Sequence, residues 1–348
     1  MKPFLLYSDL HIRPERIEDC KRVLQYIGAM ALKIQDKLKA EITIINGGDT
    51  FNTRGLIHTK CFDVLYKEYK AWFDSGLKQW IIVGNHDQED RAGKVHPMSV
   101  FQSWTGWHTI DRPTLIDNIA MFPYMDDREE AKRYINKFIK EGAQDAVVHW
   151  GIKGAMRNDW NKDTDGIPVE WLKPFRKVFS GHYHYRNSIE NVQYIGSPFQ
   201  QNFAEREQTK GVIYYEQESN KERFYEIKGT PKHYEIEIHQ EGDEIRKSKA
   251  NGSHDWEEIG EKDFIKVKIS GDSEFCKTFK KEEHLGTIAS ASVKIERAVK
   301  ERHHSRLNIK TEEILSPLSL MEKYVDFIDT PLNKKQLLDV GKELISGL

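Results

Sequence analysis

Five short segments constrain this chain more than anything else in it: Asp9-Leu10-His11, Gly48-Asp49, Gly84-Asn85-His86-Asp87, Val148-His149-Trp150 and Gly181-His182-Tyr183-His184. Each follows an apolar run, at residues 4–7, 42–45, 80–83, 146–148 and 178–179. Short apolar runs set between amphipathic patterns read as buried strands, so five strand ends carry polar, metal-capable side chains. Between them Val23, Tyr26, Ile27, Met30, Ala31, Ile34 and Leu38 recur at helical spacing. Two further stripes run through Cys61, Phe62, Leu65, Tyr66, Tyr69, Trp72 and Phe73, and through Ala131, Tyr134, Ile135, Phe138 and Ile139. The alternation of the two patterns predicts an α/β fold over residues 3–227.

At 348 residues the chain has the length of about two domains. Its 53 basic and 55 acidic residues balance to a net charge of -2, which excludes a generally polybasic nucleic-acid binder, so a polyanion must be met locally. No apolar run approaches the length a bilayer needs, and Asp9 follows the first residues too soon for a signal peptide. Cys20, Cys61 and Cys276 lie far apart without a C-x-x-C pair, which suits reduced thiols on helix faces in a cytoplasm.

After His184 come β-like runs at 193–196, 212–215 and 223–227, ending at Gly229-Thr230-Pro231. The composition then changes: β-like 234–238, a polar stretch over 241–253, β-like 264–269 and charged helix-like segments. The expected organisation is a first domain over 1–230, a small α+β domain over 231–307 and a helix-loop-helix over 308–348. The last starts at Thr311-Glu312-Glu313 and Ser316-Pro317, and places Leu318, Met321, Tyr324, Val325 and Ile328 on one face. Its second helix, after Thr330-Pro331-Leu332-Asn333, carries Leu337, Leu338, Val340 and Leu344. Two helices this short own no core, so their apolar faces need either their own domain or a partner.

Hydrolysing a phosphoric ester near neutral pH requires neutralising a non-bridging oxygen, generating hydroxide and supporting the leaving oxygen. Two divalent ions roughly 3.5–4 Å apart do this together. They need one carboxylate able to bridge them, plus imidazole and oxygen ligands on each side. Asp, His and Asn without thiolate favour manganese, iron or another borderline metal over a structural zinc site. Asp9 and His11, like His182 and His184, have the alternate spacing that can turn two side chains toward one ion as a strand becomes a loop. A lone D-x-H or H-x-H is common by chance, and all five segments in this order are not. His58, His96, His108, His233, His239, His254, His284, His303 and His304 fit no segment and are expected to be surface or structural.

Over about its first two-thirds the sequence resembles the calcineurin-like metallophosphoesterases, whose pattern is D-x-H, G-D, G-N-H-D/E, a histidine after a strand, and G-H-x-H. The resemblance implies a β-sandwich flanked by helices. It implies that Asp9, His11, Asp49 and His184 hold one ion, that Asp49, Asn85, His149 and His182 hold the other, and that Asp49 bridges. His86 would give a proton to the leaving oxygen or stabilise it, with Asp87 orienting its ring. Protein phosphatases of this superfamily carry G-D-x-x-D-R-G and G-N-H-E; here the arginine, Arg54, is displaced and the acid is Asp87. Phe51 after Gly48-Asp49, Tyr194-Ile195-Gly196-Ser197-Pro198, Lys210-Gly211-Val212 and the appended domain look instead like the SbcD family of DNA repair nucleases. The short chain and Ser319-Leu320-Met321-Glu322-Lys323-Tyr324 resemble the tailed-phage recombination nuclease subunits within it.

That resemblance implies a manganese-dependent DNA nuclease, with magnesium or iron as alternative ions. It would be a double-strand exonuclease with single-strand endonuclease activity, a homodimer partnering an SbcC-like coiled-coil ATPase, in the cytoplasm, of the host cell if phage-encoded. Residues 231–307 would cap the site and guide DNA. Arg54, Lys60, Arg91, Lys94 and Arg157 are candidate phosphate contacts. Asn52 stands where several relatives have His or Asp; an amide can donate a hydrogen bond but is neither acid nor base near neutral pH, so Asn52 and Arg54 are expected to touch substrate only. Two other functions compete: a phosphatase or cyclic-nucleotide phosphodiesterase, and a non-catalytic scaffold tethering an ATPase to DNA.

Overall fold

A computed structural model describes residues 3–90, 95–158, 160–242, 244–249, 259–286, 292–299, 316–328, 330 and 332–346. The chain forms two compact units, one of Met1–Glu237, Lys247–Val267 and Lys281–Glu296, the other of Ile238–Arg246, Lys268–Lys280 and Arg297–Leu348.

Among the described residues, the first twelve strands, all in the larger unit, form two sheets. In chain order they are β1 (Pro3–Tyr7), β2 (Thr43–Asn46), β3 (Lys78–Ile82), β4 (Trp107–Ile110), β5 (Thr114–Ile116) and β6 (Ile119–Phe122). Then follow β7 (Asp145–Val148), β8 (Lys177–Ser180), β9 (Ser188–Ile189), β10 (Val192–Tyr194), β11 (Gly211–Glu216) and β12 (Lys221–Glu226). One sheet has the order β12-β11-β1-β2-β3-β4, the other β5-β6-β7-β8-β10-β9. Strands β1 to β4 are mutually parallel, as are β6, β7, β8 and β10. The parallel strands therefore end on one rim of each sheet.

Strands such as β1 and β6 read as unbroken apolar runs because both faces are covered. Side chains alternate along β1: Leu5 and Tyr7 pack with Val23, Ile27, Leu65 and Tyr69 of helices α1 (Ile17–Leu38) and α2 (Thr59–Asp74), while Phe4 and Leu6 pack with Met121, Val147 and Phe179 of the other sheet. The second sheet turns Ala120, Phe122, Ala146 and Val148 toward Ala131, Ile135 and Phe138 of α3 (Arg128–Lys140). The result is four layers, helix on sheet on sheet on helix. Each fully buried Leu or Phe in them contributes about 1.5–3 kcal/mol. Helix α3 begins where Asp127 accepts the Glu130 amide at 2.9 Å, satisfying a free N–H of the first turn. Cys20, Cys61 and Cys276 are all buried.

Beyond residue 230 a four-stranded sheet has the order β14-β13-β15-β16, with β13 His233–Glu241, β14 Glu244–Lys249, β15 Phe264–Gly271 and β16 Ser292–Val299. Two of these differ from expectation: β14 lies within the stretch read as polar, and β16 replaces charged helix. The short helices α4 (Ser273–Thr278) and α5 (Lys281–Leu285) are present. In the smaller unit α6 (Pro317–Phe327) starts at Ser316, whose side chain accepts the Ser319 amide, and α7 (Lys334–Ser346) follows Asn333. Thr311, Glu312 and Glu313 lie outside the described residues, as do His254, His303 and His304. No helix among the described residues is long and apolar enough to cross a membrane.

His233 stacks on Phe264 at 4.8 Å and meets Phe203 edge-on. Burial, then the charges of Arg16 and Arg13 against the opposing Glu205, push its pKa down to about 4. The fold thus keeps this imidazole neutral while the unfolded chain protonates it below about pH 6.5. Lowering pH from 7 to 4 should therefore cost about 3 kcal/mol through this residue alone. Urea midpoints of His233→Gln against the native chain at the two pH values check this: the variant should show the shallower decline.

Candidate metal centre

The five segments meet where the parallel strands end. Asp9 and His11 follow β1, Asp49 follows β2, and Asn85 and His86 follow β3; His149 follows β7, and His182 and His184 follow β8. The β1–β2 ladder continues into the loops, with the Asp9 amide donating to Gly48 O at 2.9 Å and the His11 amide to Asp49 O at 3.1 Å. Asp9, His11, Asp49 and His182 all take left-handed backbone, at φ 56°, 46°, 53° and 83°. For residues other than glycine this costs on the order of 1–3 kcal/mol each, strain tolerated because the loops are pinned on both sides.

The ligand atoms of Asp9, His11 and His184 lie within 4.8 Å of one another, and so do those of Asp49, His149 and His182. His184 Nε2 is 2.9 Å from His11 Nε2. Asp49 Oδ2 stands between the sets, 3.2 Å from His149 Nε2 and 3.7 Å from His11 Nε2. Asn85 Oδ1 closes the second set, 3.2 Å from His149 Nε2 and 2.9 Å from His182 Nδ1. The structure thus brings all seven residues named from the sequence into one place, with a third, overlapping cluster of His11, Asp49 and His86 beside them.

The donor chemistry fits cations. His149 Nδ1 donates to Gly47 O at 2.7 Å and His184 Nδ1 to Glu205 Oε1 at 2.7 Å, so in their neutral, ligand-competent form both rings turn the Nε2 lone pair inward. Those lone pairs face further acceptors, Asp49 Oδ2 and Asn85 Oδ1 for one and His11 for the other. Asp9 Oδ2 is buried with no hydrogen-bond partner. Converging acceptors with an orphaned carboxylate oxygen are what bound divalent ions would satisfy. Burial and neighbouring imidazoles push His11 and His182 down to about 3, leaving them neutral ligands. Burial opposes the charge on Asp49, yet His149, His11 and His86 hold its carboxyl well below the usual range, and the same contact outweighs burial to raise His149 to about 9. Burial raises the carboxyl of Asp9.

Glycines make the approach possible. A Cβ on Gly84 would stand 2.2 Å from Asp49 Oδ1 and 2.3 Å from its amide nitrogen. Gly84→Ala should therefore displace Asp49 and weaken divalent-metal binding by at least about 10-fold, measured by calorimetric titration of metal-free protein.

His86 lies edge-on to His11 with ring centroids 4.8 Å apart, its amide donating to Asp49 Oδ1 at 2.8 Å. Its orienting partner differs from expectation. Nδ1 lies 2.8 Å from the Asn52 carbonyl oxygen, whereas Asp87 accepts the Phe51 and Gly84 amides at 2.9 and 3.0 Å. Asp87 thus braces the β2 and β3 loops; burial and the Asp49 charge push it up to about 7. Asn52 acts here through its backbone. Arg54 is exposed and lines a cleft with Asn85, Gln88, Glu89 and Tyr124. Lys60 is exposed, Arg157 is engaged by Asp163 and Tyr183, and Arg91 and Lys94 lie outside the described residues. Of the remaining histidines, His58 caps α2, His96 faces Asp111 at 3.5 Å and His239 bonds Ser270.

Residues not foreseen surround His184. Glu205, Lys210 and Gln201 lie on the loop after β10; of these the sequence marks Lys210, within Lys210-Gly211-Val212, without assigning it a role, while Asn202, which caps the turn leading to Glu205, is a hint that went unread.

The model of the calcineurin-like phosphoesterase family matches residues 2–186. Exonuclease subunit 1 of enterobacteria phage T4 is 25% identical over 224 residues, which are 62% of this chain and 62% of that protein, so the chain spans less than two thirds of this relative. A solved structure described as a novel archaeal phosphodiesterase aligns with 65% of this chain and 99% of its own at 12% identity; its TM-score of 0.33 adds nothing to the assignment. With a family match across more than half of its length, and the five segments joined in space as that pattern requires, the chain belongs to the calcineurin-like phosphoesterases.

Proposed function

We propose that this metal-dependent phosphoester hydrolase is a two-metal DNA nuclease, a double-strand exonuclease with single-strand endonuclease activity. In this reading it is the nuclease subunit of an SbcC/SbcD-like recombination and repair complex in the cytoplasm. Asp9, His11, Asp49 and His184 would hold one ion, and Asp49, Asn85, His149 and His182 the other; manganese suits this N/O set, with magnesium and iron as alternatives. When bound, such ions supply charge neutralisation at the phosphate and a water acidic enough to be hydroxide near neutral pH.

The observation that carries the reading is His86. With Nδ1–H tied to the Asn52 carbonyl, its ring is fixed beside His11 and Asp49, and Nε2 is the atom left to hand a proton to a leaving oxygen. Arg54, exposed on the cleft beside Asn85, suits a flanking phosphate. DNA as the substrate is supported by the phage relative, an exonuclease subunit by name.

The same reading assigns 1–230 to the nuclease domain, 231–307 to a domain guiding DNA and 308–348 to docking of a coiled-coil ATPase, with the chain acting as a homodimer. In support of docking, Leu320, Tyr324, Phe327, Val340 and Leu344 on α6 and α7 are exposed. Turnover of end-labelled duplex DNA, cyclic nucleotides and phosphopeptides, each with manganese, tests the substrate. DNA should be degraded far faster than the others; preference for either competitor overturns the nuclease reading.

A further inference from the structure

The family match ends at residue 186, yet the polar contacts around one ligand set continue well past it. The loop between β10 and β11, residues 195–210, folds back over the Asp9, His11 and His184 side of the site. Its centre is Glu205, 4% exposed. Glu205 Oε1 accepts a hydrogen bond from His184 Nδ1 at 2.7 Å. Glu205 Oε2 is held by Lys210 Nζ at 2.8 Å, Ser197 Oγ at 3.0 Å and the Gln201 amide at 3.1 Å. Lys210 Nζ also donates to the His184 carbonyl oxygen at 2.7 Å, so one lysine fixes both the backbone of the histidine and the acid that orients its ring. Gln201 Nε2 donates to the carbonyl oxygens of Leu10 at 3.2 Å and Asp9 at 3.4 Å, on the strained turn between Asp9 and His11, and Arg13 grips Gln201 at Oε1 and O.

His149 of the other set is held differently. The corresponding proton of His149 goes to a neutral backbone carbonyl, Gly47 O. A carboxylate behind an imidazole fixes which nitrogen bears the proton and makes the opposite one a stronger donor to a cation. A backbone carbonyl fixes the proton but adds no net charge.

We propose that Glu205, locked by Lys210 and Ser197, is a positioning residue for the metal ion on the Asp9, His11 and His184 side, and that the 195–210 loop tightens this one site of the two. Ser197-Pro198 and Lys210-Gly211, distinctive in the sequence, are then the two ends of a metal-supporting clamp. The proposal rests on the assignment of His184 as a ligand.

Calorimetric titration of the metal-free full chain with Mn2+ tests it. Glu205→Gln keeps the shape and removes the charge; one of two binding events should weaken by about 10- to 100-fold while the other holds. General loosening of the fold would weaken both. Because the single variant leaves the Lys210 ammonium buried beside an amide, Glu205→Gln with Lys210→Met serves as the second variant, neutral and close in volume. Selective loss of one event in either folded variant supports the proposal. Wild-type affinities at both sites, or equal weakening of both, in the double variant overturn it. If the native chain itself bound fewer than two Mn2+, the two-metal reading would fail first, and the titration separates that failure from this one.

Discussion

Asp49→Asn should abolish turnover, with kcat/KM falling by about 10^4-fold or more. Its Oδ2 faces both ligand sets. Losing its charge would weaken the hold on both proposed cations, each of which would supply several kcal/mol of transition-state charge stabilisation, and about 1.4 kcal/mol is a factor of ten in rate. The amide keeps an oxygen and the side-chain volume, so the loss is electrostatic rather than a cavity effect. Metal content by mass spectrometry should drop from two ions toward one or none, and rate and content should fall together. An Asp49→Asn chain that kept two ions and native turnover would remove the bridging role.

His86→Ala should separate what Asp49→Asn couples. The ring of His86 is placed by Asn52 O and meets the site beside the ligands, and its amide, which supports Asp49, survives the substitution. Two ions should remain bound while kcat drops by about 10^2- to 10^4-fold, the usual size of a lost general acid. A p-nitrophenyl phosphodiester gives the sharper test, because its leaving group departs without a proton. The variant should be nearly native on that ester and crippled on DNA. Equal loss on both substrates would mean that His86 serves binding or metal geometry rather than proton transfer.

What the sequence made legible follows from burial. Strands such as β1 and β7 are covered on both faces, so they appear as apolar runs, and the polar residues that break each run mark the rim. The candidate set was legible because seven metal-capable side chains all fall within five residues of the ends of such runs. By contrast β14, Glu-Ile-Arg-Lys-Ser-Lys, has a single apolar residue in six, too little alternation to distinguish strand from solvated loop. The partner of His86 was hidden for another reason: Asn52 contributes a carbonyl oxygen, which every residue has, so side-chain identity says nothing. Glu205 lies 21 positions from His184, and only the path of the 195–210 loop brings them together.

The ligands are divided between the two sheets. Asp9, His11, Asp49 and Asn85 leave the rim of one, and His149, His182 and His184 leave the rim of the other. Cations held by both would rivet the sandwich along one edge, where imidazoles and carboxylates otherwise have only each other. At a free-ion concentration 100 times the dissociation constant, each bound ion adds about 2.7 kcal/mol to the native state. Scanning calorimetry in manganese against chelator should thus show a melting temperature that follows metal supply. A cell short of the divalent ion that fills this site would then lose the protein to proteolysis as well as to idleness, its abundance tracking the metal supply.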